Sequence, residues 1–156
     1  MTAQAPETAT PTVVLPALVD QRLARATAGL CRDQPAHAAT VRGVLAPLRD
    51  RLYRVHAACR QAEAASWAAY TADLDRGLDE LSVEMQRATT ERGADDVLSA
   101  AAAQLELRAW QLRLDTLRAE GHDVTAAQQV ADSVAAGRPG AELTALRQAV
   151  ETLHRS

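Results

Sequence analysis

The chain has 156 residues, a formal charge of −3 and a pI near 5.8. That length suits one domain whose core needs neither disulfide nor metal. The acidic balance argues against a main role on nucleic acid or on an anionic membrane, since both call for a basic surface.

All 17 basic residues are arginine, and alanine fills roughly a fifth of the chain. The arginines are scattered among acids, so the bias reads as the codon usage of a GC-rich genome, not as a recognition cluster. Aromatic residues are few (Tyr53, Trp67, Tyr70 and Trp110, with no Phe), which leaves the core to Leu, Val and Ala. Alanine seams bury less apolar area per residue than leucine, and the low stability they imply for one chain favours association.

Residues 1–14 are rich in Thr, Ala and Pro without apolar periodicity and read as a flexible tail, with 15–156 as a single helical-bundle domain. The first helix is expected to begin at Pro16, a first-turn residue by geometry. Its stripe is Val19, Leu23, Ala26 and Leu30, and it stops before Pro35. A fold-back at Asp33-Gln34-Pro35 puts Cys31 near residues 37–39 and far from Cys59, which forbids a bridge between the two thiols.

From Val41 to Ala88 the sequence reads as one long helix. Val41, Leu45, Leu48, Leu52, Val55, Cys59 and Ala62 step by four and three, the spacing of one helical face. Such a helix would be roughly 70 Å long. Pro47 interrupts the hydrogen bonding but not the register, which leaves a kinked continuous helix or two helices meeting there. After Cys59 the register slips at Glu63 and resumes as Trp67, Tyr70, Leu74, Leu78, Leu81 and Met85, a pattern read as local unwinding of a continuous seam. Thr89 to Gly93 is the expected exit turn.

The next helix is expected to open at Asp95 or Asp96, run to Glu120 and close on Gly121. It is apolar on two sides. Leu98, Leu105, Ala109 and Leu112 form one line, and Leu107, Trp110, Leu114 and Leu117 form another nearly opposite. A helix with two apolar sides lies between two neighbours. One is the second half of the long helix; the other is the first helix, the C-terminal helices or a second copy of the chain. A short helix over Val124–Ala136, capped by Asp123 and ended by Gly137, precedes an Arg138-Pro139-Gly140 turn. The last helix carries the stripe Leu143, Leu146, Val150 and Leu153.

Chemical signatures are weak. His56, Cys59 and Glu63 share one helical line and suggest a nucleophile with its base, but Cys59 holds a stripe position, where a thiol behaves as a small apolar group. Glu151 and His154 form one E-x-x-H pair, whereas a di-metal bundle needs two such pairs and further carboxylates. His37 and His122 sit at helix boundaries without a ligand partner nearby in sequence. Asp73, Glu80 and Glu84, near Arg76 and Arg87, read as a solvated face that could also choose a partner by charge. The last two helices have the outline of a helix-turn-helix, but the second opens with Ala141-Glu142, an acid where phosphates would lie.

These readings converge on an all-α fold, an elongated antiparallel helical bundle built on one long central helix. The expected function is a non-enzymatic interaction or scaffold protein, a homodimer or a partner-binding adaptor, with no cofactor or metal. Its interface would be the surplus apolar strip Trp67, Tyr70, Leu74, Leu107, Trp110, Leu114 and Leu117. The alternative is a helical ligand-binding or catalytic bundle with a pocket near Tyr53, His56, Cys59 and Trp67. With no secretory signal or bilayer-length apolar run in the sequence, a cytoplasmic location with reduced thiols is expected.

Overall fold

The computed structural model describes residues 5–155, with side chains from Pro16 to Leu153. The fold is an all-α helical bundle. Its helices are α1 (Ala5–Asp33), α2 (Ala38–Ala58), α3 (Ala64–Arg87), α4 (Glu91–Ala119), α5 (Thr125–Ala135) and α6 (Leu143–Arg155), with a short 3-10 turn, Pro35–His37, ahead of α2. The flexible tail expected over residues 1–14 falls on residues 1–4, outside the described residues, and on 5–14, whose side chains are not described.

In the first four helices, α1 and α4 each pack against both α2 and α3. The stripes meet in one core: Val19, Leu23 and Leu30 from α1, Val41 to Val55 from α2, Trp67 to Met85 from α3, and Leu98, Leu105, Ala109 and Leu112 from α4. Polar pairs pin these helices together. Arg49 donates two hydrogen bonds, at 2.9 and 2.8 Å, to the two carboxylate oxygens of Asp20, joining α2 to α1. Arg22 stands 3.3 Å from Asp75, joining α1 to α3. Glu91 accepts a hydrogen bond from Thr40 and lies 3.5 Å from His37 Nδ1, so the α1–α2 and α3–α4 turns share one end of the bundle. Cys31 Sγ reaches the Ala38 carbonyl at 3.7 Å, as the fold-back at Pro35 required, and both cysteines are free thiols.

The single rod expected over 41–88 is two helices, and the break is not at Pro47. Helix α2 runs through Pro47 and ends at Ala58, and α3 starts afresh at Ala64. The register slip at Glu63 marks this break. Glu63 is extended (φ −61°, ψ 149°), and its carbonyl accepts the Trp67 amide to begin a new helix. A slip of a few residues is compatible either with unwinding one helix or with stopping it; here it stops it.

Pro47 is tolerated because it lies on the exposed side of α2, and the residue four back, whose carbonyl loses its partner, is the exposed Gly43.

The start of the next helix also differs from expectation. Thr90, not Asp95 or Asp96, is the N-cap: its hydroxyl accepts the Gly93 amide at 2.9 Å, so α4 opens four residues early. Its end is as expected. Gly121 has φ +97°, and the His122 amide reaches back to the Leu117 carbonyl at 3.0 Å, a C-cap that only a residue at ease in left-handed geometry supports.

The two apolar lines of α4 divide as their spacing demanded. One enters the four-helix core. The other packs with α5 and α6, where Leu114, Leu117, Val124, Ala127, Ala131, Leu146 and Val150 form a second core and Leu107 and Trp110 lie half-buried against it.

Replacing Pro47 with alanine restores one backbone hydrogen bond without touching the core. Urea denaturation of P47A should show stability raised by about 1–3 kcal/mol; an unchanged or lowered midpoint would mean that the proline is needed for the packing of α2.

Candidate functional site

Five of the seven residues singled out for an interface lie inside the chain, and Leu107 and Trp110 are half-buried. Trp67, Tyr70, Leu74, Leu114 and Leu117 are all 5% exposed or less. The physical reason is the break at Cys59–Glu63. Two shorter helices cover each other's neighbours where one rod could not, and α5 and α6 seal the far side of α4. Among the described residues, the exposed large apolar side chains are Leu18, Tyr53 and Val83, on three different helices; isolated surface apolar residues are ordinary.

The structure does bring His56, Cys59 and Trp67 together, with Tyr70, but as a closed core. His56 Nε2 and the Tyr70 hydroxyl share a hydrogen bond of 2.6 Å, and the rings of His56, Trp67 and Tyr70 stack edge to face at centroid distances of 5.2 to 6.1 Å. His56 and Cys59 are fully buried.

Burial lowers the His56 pKa to about 4, only weakly opposed by Asp20. Its Nδ1 has no hydrogen-bond partner among the described residues, so an imidazolium there would carry an unmatched proton. Burial likewise pushes the Cys59 thiol up to about 11, partly offset by Thr116 and Arg113, and raises the Tyr70 phenol. A neutral imidazole beside a protonated thiol, sealed from solvent, has the chemistry of packing.

Glu106 is the most unusual residue of the molecule, and sequence reading passed over it. It sits on α4 between Leu105 and Leu107, is 2% exposed, and carries a carboxylate among apolar neighbours. Four donor atoms meet it. Arg147 of α6 binds through Nε at 2.6 Å and Nη2 at 2.9 Å, Arg51 of α2 through Nε at 3.2 Å, and Trp110 through its indole N–H at 3.0 Å. Burial works to raise its pKa. The hydrogen bonds from Arg147 and Trp110, with the charges of Arg147 and Arg51, outweigh that and hold the carboxyl below the ordinary value. A sequence signal existed in principle: an acid flanked by two leucines at the boundary of two apolar lines is either misplaced or matched. Trp110 is four residues on along the same helix, but the two arginines lie 41 and 55 residues away and have no local trace.

The acidic face of α3 lies beside an open groove. Between α3 and α4 a cleft of about 520 Å³ is floored by Gly77, Leu81, Val97, Ala101 and Leu105, and Glu80, Glu84 and Asp96 stand on its rim. It exists because Gly77, Ala100 and Ala101 are too small to fill the space between the helices. Arg108 closes one end. Its guanidinium lies across Gly77 so closely that a Cβ there would stand 2.2 Å from Nη1. Asp73 pairs instead with Arg76 at 2.8 Å.

Among the described residues, no group of three His, Cys, Asp or Glu side chains is placed to hold a metal ion, and no helix is long and apolar enough to cross a membrane. The E-x-x-H pair cannot be assembled from them either, because the side chain of His154 lies outside the described residues, while Glu151 is exposed on α6. Tyr53 is exposed on α2, His37 is buried at the α1–α2 turn, and His122 follows the C-cap of α4. No family model, no curated protein and no solved structure matches this chain.

The buried imidazole has a consequence in solution. Above pH 6.5, His56 is neutral both folded and unfolded. Between 6.5 and about 4 only the unfolded chain takes up the proton, so stability falls with pH by up to about 1.4 kcal/mol per unit. The urea midpoint of the native protein should drop across that window and that of His56→Gln should drop less; parallel curves would remove the assignment. Cys59 should resist thiol labelling at pH 8 until the protein unfolds.

Proposed function

We propose that the protein is a non-enzymatic helical interaction module that takes a basic, amphipathic helix of a partner protein into the α3–α4 groove. The observation that carries this reading is the pairing of an apolar floor with a mainly acidic rim, three carboxylates against the one guanidinium of Arg108 at the end of the groove. Val97, Ala100 and Ala101 offer apolar contact above the buried Leu81 and Leu105, while Glu80, Glu84 and Asp96 border it with carboxylates. An amphipathic helix bearing arginine or lysine beside its apolar stripe matches both features, the mode in which helices lie in hydrophobic grooves. The charges steer the encounter and reject acidic segments more than they add affinity.

A heterologous partner is favoured over a homodimer because the chain covers its own large apolar faces. What remains open is a cleft whose complement must be convex and basic. The two free thiols support a cytoplasmic setting for this activity.

The test is a titration of the protein with a synthetic helix carrying leucine on one face and arginine on its flanks, followed by amide NMR. Shifts should concentrate at Val97, Ala101 and their neighbours, weaken as salt rises, and vanish in the Glu80→Arg/Glu84→Arg variant while persisting in a Glu142→Arg control. Shifts spread evenly over all acidic surfaces, or equal binding by both variants, would refute the groove as the site. Self-association that buries Val97 and Ala101 in the absence of peptide would name a second copy as the occupant instead.

A further inference from the structure

On the opposite side of α4, a second cavity of about 300 Å³ opens between α2, α4 and α6. Its wall holds four guanidinium groups, those of Arg51, Arg54, Arg113 and Arg147, against two carboxylates, Glu106 and Glu151, with Val55, Ala58 and Trp110 supplying apolar surface. That is a marked local excess of positive charge in a chain whose net charge is −3. It is also the low end of the volume range of small-molecule sites.

We propose that this cavity binds a small planar organic anion, an aromatic ring carrying a carboxylate or a phosphate. The arrangement is already organised for such a ligand. Glu106 holds Arg147 through Nε and Nη2, and holds Arg51 through Nε alone, so the terminal nitrogens of Arg51 make no hydrogen bond among the described residues. Arg54 makes no ion pair or hydrogen bond among the described residues. Arg113 is 7% exposed, hydrogen-bonded to the Ala58 carbonyl at 3.1 Å and 3.9 Å from the Glu120 carboxylate, so it stands fixed at the back of the site with its charge partly offset, and the free charge for the ligand comes from Arg54 and Arg51.

The indole of Trp110 is locked by its N–H on Glu106, which fixes a flat aromatic wall before any ligand arrives. Guanidinium groups bind carboxylate and phosphate through paired N–H donors. A ring alongside Trp110, Val55 and Ala58 would be removed from water while its acid meets Arg54 and Arg51. Glu106 has a second role here: without its charge the clustered guanidiniums would repel one another, and with it they stay together and still leave an excess for the ligand.

Benzoate, phenyl phosphate and benzyl alcohol, each titrated into labelled protein, test the assignment through the Trp110 indole N–H and the arginine Nε–H resonances. Both anions should shift these signals saturably, while benzyl alcohol, of the same shape without charge, should not. Arg54→Ala should weaken both anions about tenfold, the worth of one charge-assisted hydrogen bond, with its thermal midpoint unchanged. Ala58→Leu, which fills the cavity from a solvent-facing position, should block both anions. The proposal fails if neither anion gives a saturable shift, if benzyl alcohol binds as tightly as benzoate, or if Arg54→Ala binds both anions as the native protein does.

Discussion

A carboxylate in an apolar interior is stable only if enough donors surround it, and Glu106 has four donor atoms from three helices. Removing one partner of such a buried set costs far more than a surface pair does, because the remaining charge is left unmatched in a medium that solvates it poorly. The carboxylate therefore does more than hold a proton balance. It specifies where α6 must lie: the two-pronged contact from Arg147 has a fixed plane and direction, and few placements of α6 other than the observed one satisfy Glu106, Arg51 and Trp110 at once. Apolar packing of Leu146 and Val150 supplies the adhesion, and the ion network supplies the register.

The rest of the molecule follows from α4 being covered on both sides. With α2 and α3 on one side and α5 and α6 on the other, its 29 residues are the common wall of two cores. Among the described residues most large apolar side chains are used up internally, and the α3–α4 opening is set by small residues. The α3–α4 groove lies where Gly77, Ala100 and Ala101 leave a gap, and the arginine-lined cavity lies where α6 leans on α2 and α4 around Glu106. Both openings follow from how the walls meet, which is why they carry charge at their edges and apolar surface at their base.

Much of this fold was legible in the sequence because helical periodicity reports directly on burial. The stripes of α1 to α4, the two-faced character of α4, and the glycine caps at 121 and 137 are all read at single-residue resolution and found in place. The break between α2 and α3 was visible only as a slipped register, which a bent helix and a turn produce equally, so contacts with α1 and α4 decide between them. The opening of α4 turned on one hydroxyl: Thr90 caps it, while two aspartates a few residues on looked like equal candidates. The Glu106 network lay beyond reach, since its partners at 51, 110 and 147 come from three helices and no local spacing relates the two arginines to the acid. Most of the apolar strip expected to be surplus is buried because of the break after α2: a single rod would leave it uncovered, and two shorter helices cover it.

The claim on which these conclusions rest is that Glu106 and Arg147 act as one unit in holding α6 against α2 and α4. A double-mutant cycle with Glu106→Gln, Arg147→Met and the pair, read by urea denaturation, measures that coupling directly. The structure predicts a coupling energy of about 1–3 kcal/mol, with Arg147→Met alone, which leaves the buried carboxylate short of two donors, more destabilising than Glu106→Gln, which leaves only partly exposed arginines unpaired. Additive effects of the two substitutions, with a coupling near zero, would show that apolar contact alone places the C-terminal helices.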